Sequence, residues 1–159
     1  MPDQPAPRGL FFEQFAPGAV MTSPARTITE SDVVVFAGLS GDFNPLHTDA
    51  EFARGTAYGE RIAHGMLGLA VATGLAARLG VLDGTALAFL AVDWKFRKPI
   101  LLGDTIAAEM DVARTKAMPA MGGGIVTLNV RVTNHRREVV QKGTWDVLVR
   151  GRPGGGDDH

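Results

Sequence analysis

Apolar residues along this chain follow two rhythms, and the change between them falls near residue 80. Before it the spacing is helical. Residues 30–39 place Val33, Phe36 and Ala37 on one face, after Thr29, whose hydroxyl can cap the first turn, with Asp32 three residues on as a variant capping box. A short helix is expected there. Asp49 can cap another short turn through Glu51, Phe52 and Ala53, and residues 55–59 read as loop. From residue 64 to 79, Gly, Ala, Leu, Met and Val occupy nearly every face, with Arg78 near the end and Gly80 as the stop. That pattern predicts a helix enclosed on all sides.

Beyond residue 80 the signals are those of strands. Residues 86–96, 105–114, 124–133 and 139–149 are β-rich runs, and residues 20–28 offer another before the first helix. The separators are turn-like: Lys98-Pro99 through Gly103-Asp104, Met118-Pro119 through Gly123, and Asn134-His135-Arg136-Arg137. The elements add up to an α+β domain, an antiparallel sheet of about five strands wrapped around one long central helix. A sheet that covers such a helix on one face tends to complete its burial by pairing with a second copy, so a homodimer or higher homo-oligomer is expected.

Composition narrows the classes. A chain of 159 residues with 45% hydrophobic residues suits one domain, spanning 10–150. Residues 1–9 are Pro-rich and residues 151–159 combine Gly, Pro and Asp, so both read as disordered tails. Residues 1–9 also lack a basic region followed by an apolar run and do not read as a secretory signal. A net charge of -1 gives no general attraction for nucleic acid. The most apolar stretch, residues 62–77, contains His64 and falls short of the roughly 20 residues of a membrane span, so no membrane partner is expected. Cysteine is absent, which excludes disulfides, thiolate metal sites and a Cys nucleophile, and fits a cytoplasmic setting.

The candidate chemistry lies in Phe36-Ala37-Gly38-Leu39-Ser40-Gly41-Asp42-Phe43-Asn44-Pro45-Leu46-His47, followed by Ala63-His64-Gly65-Met66. These segments closely resemble the signature of MaoC-like (R)-specific enoyl-CoA hydratases and dehydratases, a hotdog-fold family. The resemblance is strong from Phe36 to about Leu75 and looser in the strand half, where it rests on Phe96, Pro99 and the Gly103-Asp104 turn. It implies hydration of a trans-2-enoyl-CoA to a 3-hydroxyacyl-CoA, or the reverse, without cofactor or metal. Asp42 and His47 match the pair that activates water, and Gly65 matches the residue whose backbone N–H binds the thioester carbonyl. Thr73 falls where the family can place a hydroxyl that lines the site.

The residues suit that chemistry. Adding water to an electron-poor alkene needs a base for its proton and a donor for the α-carbon, and two groups of different basicity on one short loop can divide the task. Pro45 stiffens the loop and disfavours helix at Asn44, whose amide can bond neighbouring backbone. A helix start supplies free N–H groups and a positive dipole end beside Gly65. His64 is expected to bond the loop and orient the helix.

Competing readings carry their own signatures. Asp42, His47, Asp49 and His64 contain a two-histidine, one-carboxylate set, but no recognised metal-ligand spacing. A hotdog thioesterase would more often use a carboxylate on the central helix, and residues 64–79 contain none. A non-catalytic thioester-binding subunit would be expected to have lost Asp42 or His47. Glycines 122–124 are followed by no Lys-Ser or Lys-Thr helix and read as a hairpin, not a phosphate loop. Arg97, Lys98, Arg114, Lys116 and Arg131 could meet phosphates or serve as surface charges, His135 sits in a solvated turn, and Trp94 and Trp145 read as core or interface aromatics.

Overall fold

Alternation along the strands decides which side of the sheet becomes core. In the computed structural model, which describes residues 8–154, the chain forms β1 (Val20–Thr22), β2 (Arg26–Thr27), α1 (Glu30–Ser40), α2 (Pro45–Thr48), α3 (Ala50–Arg54) and α4 (Gly65–Ala77). It continues as β3 (Ala86–Phe96), β4 (Thr105–Met118), β5 (Gly123–Asn134) and β6 (Val139–Arg150). Along β4, Ile106, Ala108, Met110 and Val112 are buried while the residues between them are partly exposed. All pairings are antiparallel, in the order β1-β4-β5-β6-β3, with β2 also on β4. Among the described residues the sheet has six strands.

The difference from five strands arises at Pro24. Residues 20–28 read as one strand, but Pro24 has no N–H to give β4, and the edge divides into β1 and β2. Ser23 bridges the break: its N–H donates to the Ala108 carbonyl at 2.8 Å, and its Oγ accepts from the Ala108 N–H at 2.9 Å. At the other hairpin, β4 runs four residues past the expected end, because the 3-10 turn Pro119–Met121 and left-handed Gly122 close it tightly enough for Met118 to pair with Gly123. The expected caps form. The Asp32 N–H donates to Thr29 Oγ1 at 3.3 Å and the Thr29 N–H to Asp32 at 2.8 Å, while Asp49 accepts from the Phe52 N–H at 3.0 Å.

α4 lies against the inner face of the sheet through Leu67, Val71, Ala72, Leu75 and Ala76, which share one core with Ile106, Met110, Val126, Leu128 and Val130. Burial of each large aliphatic side chain contributes about 1.5–3 kcal/mol. The helix is not enclosed on all sides: Met66, Ala70, Thr73, Gly74 and Ala77 are exposed along the opposite face. A helix apolar all round has no polar stripe to announce which face a single sheet leaves bare. β3, at the sheet edge, is likewise bare, with Leu87, Phe89, Leu90 and Val92 each more than two-fifths exposed.

Most of the two expected tails lies outside the described residues. Gly9 and Gly151 at their margins are hydrogen-bonded, Gly9 N–H to the Asp83 carbonyl and Gly151 N–H to the Gly122 carbonyl. None of the helices described is long and apolar enough to cross a membrane.

Candidate active site

The loop between α1 and α2 is a run of short side-chain-to-backbone bonds. Left-handed Gly41 ends α1, Ser40 Oγ accepts from the Asp42 N–H at 3.2 Å, and Asp42 Oδ1 accepts from the Asn44 N–H at 3.2 Å. Asn44 then caps a single helical turn, its Oδ1 accepting from the Leu46 N–H at 3.0 Å, with Pro45 in the first helical position. Pro45 is therefore more than a loop stiffener: Asn-Pro is a cap followed by the residue best suited to begin a helix. The turn carries His47 into the protein, and Arg61, paired with Glu30 of α1, lies 3.5 Å from the His47 carbonyl.

His47 is buried and its Nδ1 lies 2.7 Å from the Ile62 carbonyl. A carbonyl only accepts, so Nδ1 carries the hydrogen, and the neutral ring presents the lone pair of Nε2. That Nε2 is 4.0 Å from Asp42 Oδ2. The His64 ring stacks on His47 with centroids 3.9 Å apart, and its Nε2 donates to the Asp42 carbonyl at 2.9 Å, as expected of a residue that ties loop to helix. Ligand atoms of Asp42, His47 and His64 lie within 4.8 Å of one another. With the His64 Nε2–H bonded to that carbonyl, the lone pair of the neutral ring lies on Nδ1, which is buried and has no hydrogen-bond partner among the described residues, so a metal at Nε2 would have to displace the tie.

α4 begins at Gly65, whose first turn has N–H groups without partners inside the helix. The Phe96 ring closes over Gly65: a Cβ there would lie 2.8 Å from two of its carbons. A cavity of about 520 Å³ opens at this point, lined by His47, Tyr58, Gly65, Met66, Phe96 and Gln141 among others, with Arg97 and Lys98 also at its wall. Asp42, Asn44, Pro45, His47, His64 and Gly65 are thus brought together. Thr73 is not. It lies two turns further along α4, donates its hydroxyl to the Ala70 carbonyl at 2.7 Å, and lines a separate apolar cavity of about 280 Å³ beside Phe15, Met21, Phe89 and Trp145.

Sequence reasoning did not find Tyr58 or Gln141, and it met Met66 only as part of the signature. Gln141 left one signal, a polar residue at an inward position of an otherwise apolar alternation. Of the basic residues considered for phosphates, Arg131 pairs with Glu109, Lys98 with Glu138 at 2.6 Å, and Arg114 donates to Thr127.

A six-stranded antiparallel sheet laid on one central helix, with a carboxylate and an imidazole meeting at that helix's leading end, defines a hotdog protein of the kind that handles acyl thioesters. The model of the MaoC like domain matches residues 12–134, and the chain belongs to that family of hydratases and dehydratases. It is 41% identical over 103 residues to an (R)-specific enoyl-CoA hydratase of Rhodospirillum rubrum, covering 64% of this chain and 69% of that one. An R-hydratase from Pseudomonas aeruginosa superposes with a TM-score of 0.74 at 32% identity, over 91% of this chain and 88% of that one. A Mycobacterium tuberculosis protein described as a double hotdog fold superposes with a TM-score of 0.80 at 18% identity, over 95% of this chain and 47% of that one.

Proposed function

We propose that this chain reversibly adds water to a trans-2-enoyl-CoA to give an (R)-3-hydroxyacyl-CoA, as a cytoplasmic homodimer without cofactor or metal. The observation that carries the reading is the 4.0 Å separation between Asp42 Oδ2 and the lone-pair nitrogen of His47. It is too long for a direct hydrogen bond, yet one water oxygen can lie within reach of both atoms.

In the forward direction Asp42 accepts one hydrogen of that water and orients it, while His47 Nε2 takes the other as the oxygen bonds to the β-carbon. The alkene electron pair moves to the α-carbon and thioester, and the enolate oxygen is met by the N–H groups that open α4, first that of Gly65. The proton held on His47 then passes to the α-carbon, so the product has gained one water and the imidazole is neutral again. The fixed tautomer supports this sequence, since it keeps a basic nitrogen on the substrate side. Asn44 and Pro45 hold the loop, and His64 ties it to the helix. The bare face of α4 and the open edge of β3 support a pairing of two copies, through which Thr73 would line the partner's site instead of its own.

The test is turnover of crotonyl-CoA, followed as loss of the alkene absorbance. Asp42→Asn and His47→Gln are each expected to lower kcat by roughly 10²–10⁴-fold with the fold intact. Undiminished turnover in both variants overturns the reading.

A further inference from the structure

Gln141 stands on β6 where the alternation calls for an aliphatic side chain, and it is 2% exposed. Its amide is engaged at both ends. Trp94 Nε1–H donates to Gln141 Oε1 at 3.0 Å, and Gln141 Nε2–H donates to the Gly65 carbonyl at 2.9 Å. An indole N–H can only donate, which fixes the direction of the amide between them. Gly68 makes room for it, since a Cβ at that position would lie 2.3 Å from Gln141 Nε2 and 2.6 Å from Ile100 Cδ1. The Gly65 carbonyl and the Met66 N–H belong to one planar peptide group. That N–H lies in the first turn of α4, where no helical acceptor exists for it, and both residues line the cavity that holds His47.

We infer that Gln141 is a positioning residue: Trp94 and Gln141 form a hydrogen-bond relay that orients and polarises the Gly65–Met66 peptide, making the Met66 N–H a second donor to the thioester oxygen. This rests on the hydration reading above. Every bond in the line runs the same way, from indole to side-chain amide, from amide to peptide carbonyl, and from peptide N–H to the developing enolate. A bond accepted at a peptide carbonyl draws electrons through the resonant C–N bond and strengthens the N–H as a donor. Such a donor counts most when charge is greatest, in the transition state, so the relay acts on kcat more than on KM.

The full chain is tested as wild type, Gln141→Met, Trp94→Phe and the double variant. Two quantities are measured: steady-state hydration of crotonyl-CoA and the amide proton shift of Met66 by NMR. Gln141→Met is expected to lower kcat roughly tenfold and Trp94→Phe about threefold, with KM little changed. The double variant is expected to be no worse than Gln141→Met, because the two groups act in series. The Met66 amide proton moves upfield in both single variants, further in Gln141→Met. An unmoved Met66 shift, or a double variant that multiplies the single losses, overturns the relay. If Gln141→Met fails to fold, Trp94→Phe, which removes the far bond and leaves the Gln141–Gly65 bond in place, decides by the same two readouts. A wild-type chain inactive on every enoyl-CoA tried would sink the hydration reading, and the Met66 shift would still judge the relay alone.

Discussion

The two halves of α4 have nearly the same composition and quite different surroundings. At the leading half, the Gly65 carbonyl receives the Gln141 amide, Phe96 lies over Gly65, and His64 just before the helix is bonded to the Asp42 carbonyl. Along the trailing half, Gly74 and Ala77 face outward, and Thr73 turns its hydroxyl back onto the helix. Small apolar residues serve both ends, for opposite reasons. In the first half they let tethering groups approach the backbone; in the second they leave a smooth face for another surface to cover.

The largest break in that comparison comes from denying the trailing face its cover. Leu87→Lys with Leu90→Lys on β3 is expected to separate the proposed dimer into monomers by sedimentation, weakening association more than ~100-fold, because like charges then face each other. Turnover falls with it if the trailing face needs a partner. A charged variant that stays dimeric would show that association uses another surface.

Two glycine substitutions sharpen the contrast within one helix. Gly68→Ala forces a methyl group into Gln141 and Ile100 and is expected to destabilise the fold by about 1–3 kcal/mol. Gly74→Ala meets no atom within 4 Å and is expected to stabilise the helix by up to about 1 kcal/mol. Denaturant unfolding of both variants is the measurement. Equal effects would mean that the two halves are held alike.

The smallest expected effect separates both halves from the β5–β6 turn. There Asn134, Lys98 and Arg136 hold the Glu138 carboxyl at about 2, below the ordinary 4.5. A carboxyl lowered on folding adds stability that is present above about 4.5 and fades as pH falls toward 2. The Glu138 side chain is 33% exposed and its charged partners lie nearer still to solvent, so the contribution is modest. Glu138→Gln is therefore expected to flatten that acid limb slightly in a thermal-midpoint series and to leave hydration at neutral pH unchanged.

What could be read without coordinates was whatever depends on near neighbours. The Thr29–Asp32 box, the Asp49 cap and the β3 boundaries follow from local propensity and alternation, and the Asp42-to-His47 spacing sits in one short loop. The loop-to-helix tie of His64 was also legible, because the residue stands at the start of the apolar helix that follows the loop. Contacts across the sheet were not: nothing near Gln141 in sequence announces Trp94, 47 residues away, or Gly65, 76 residues away. The bare face of α4 was hidden for another reason, since a helix without polar residues gives no clue to direction. Thr73 was expected at the site by family position, and within one chain the length of the helix keeps it elsewhere.

The two borders of the sheet have unequal capacity for growth. On one, Pro24 interrupts the line and Ser23 already occupies Ala108, leaving short strands that make a poor template. On the other, β3 runs for eleven residues, apolar except at Asp93 and Lys95, with no interruption by proline. Two chains zipped together through β3 would therefore turn only their blunted borders outward. Addition of a third strand set would find nothing to continue from, and assembly along the sheet would stop at a closed pair instead of running on into a fibre.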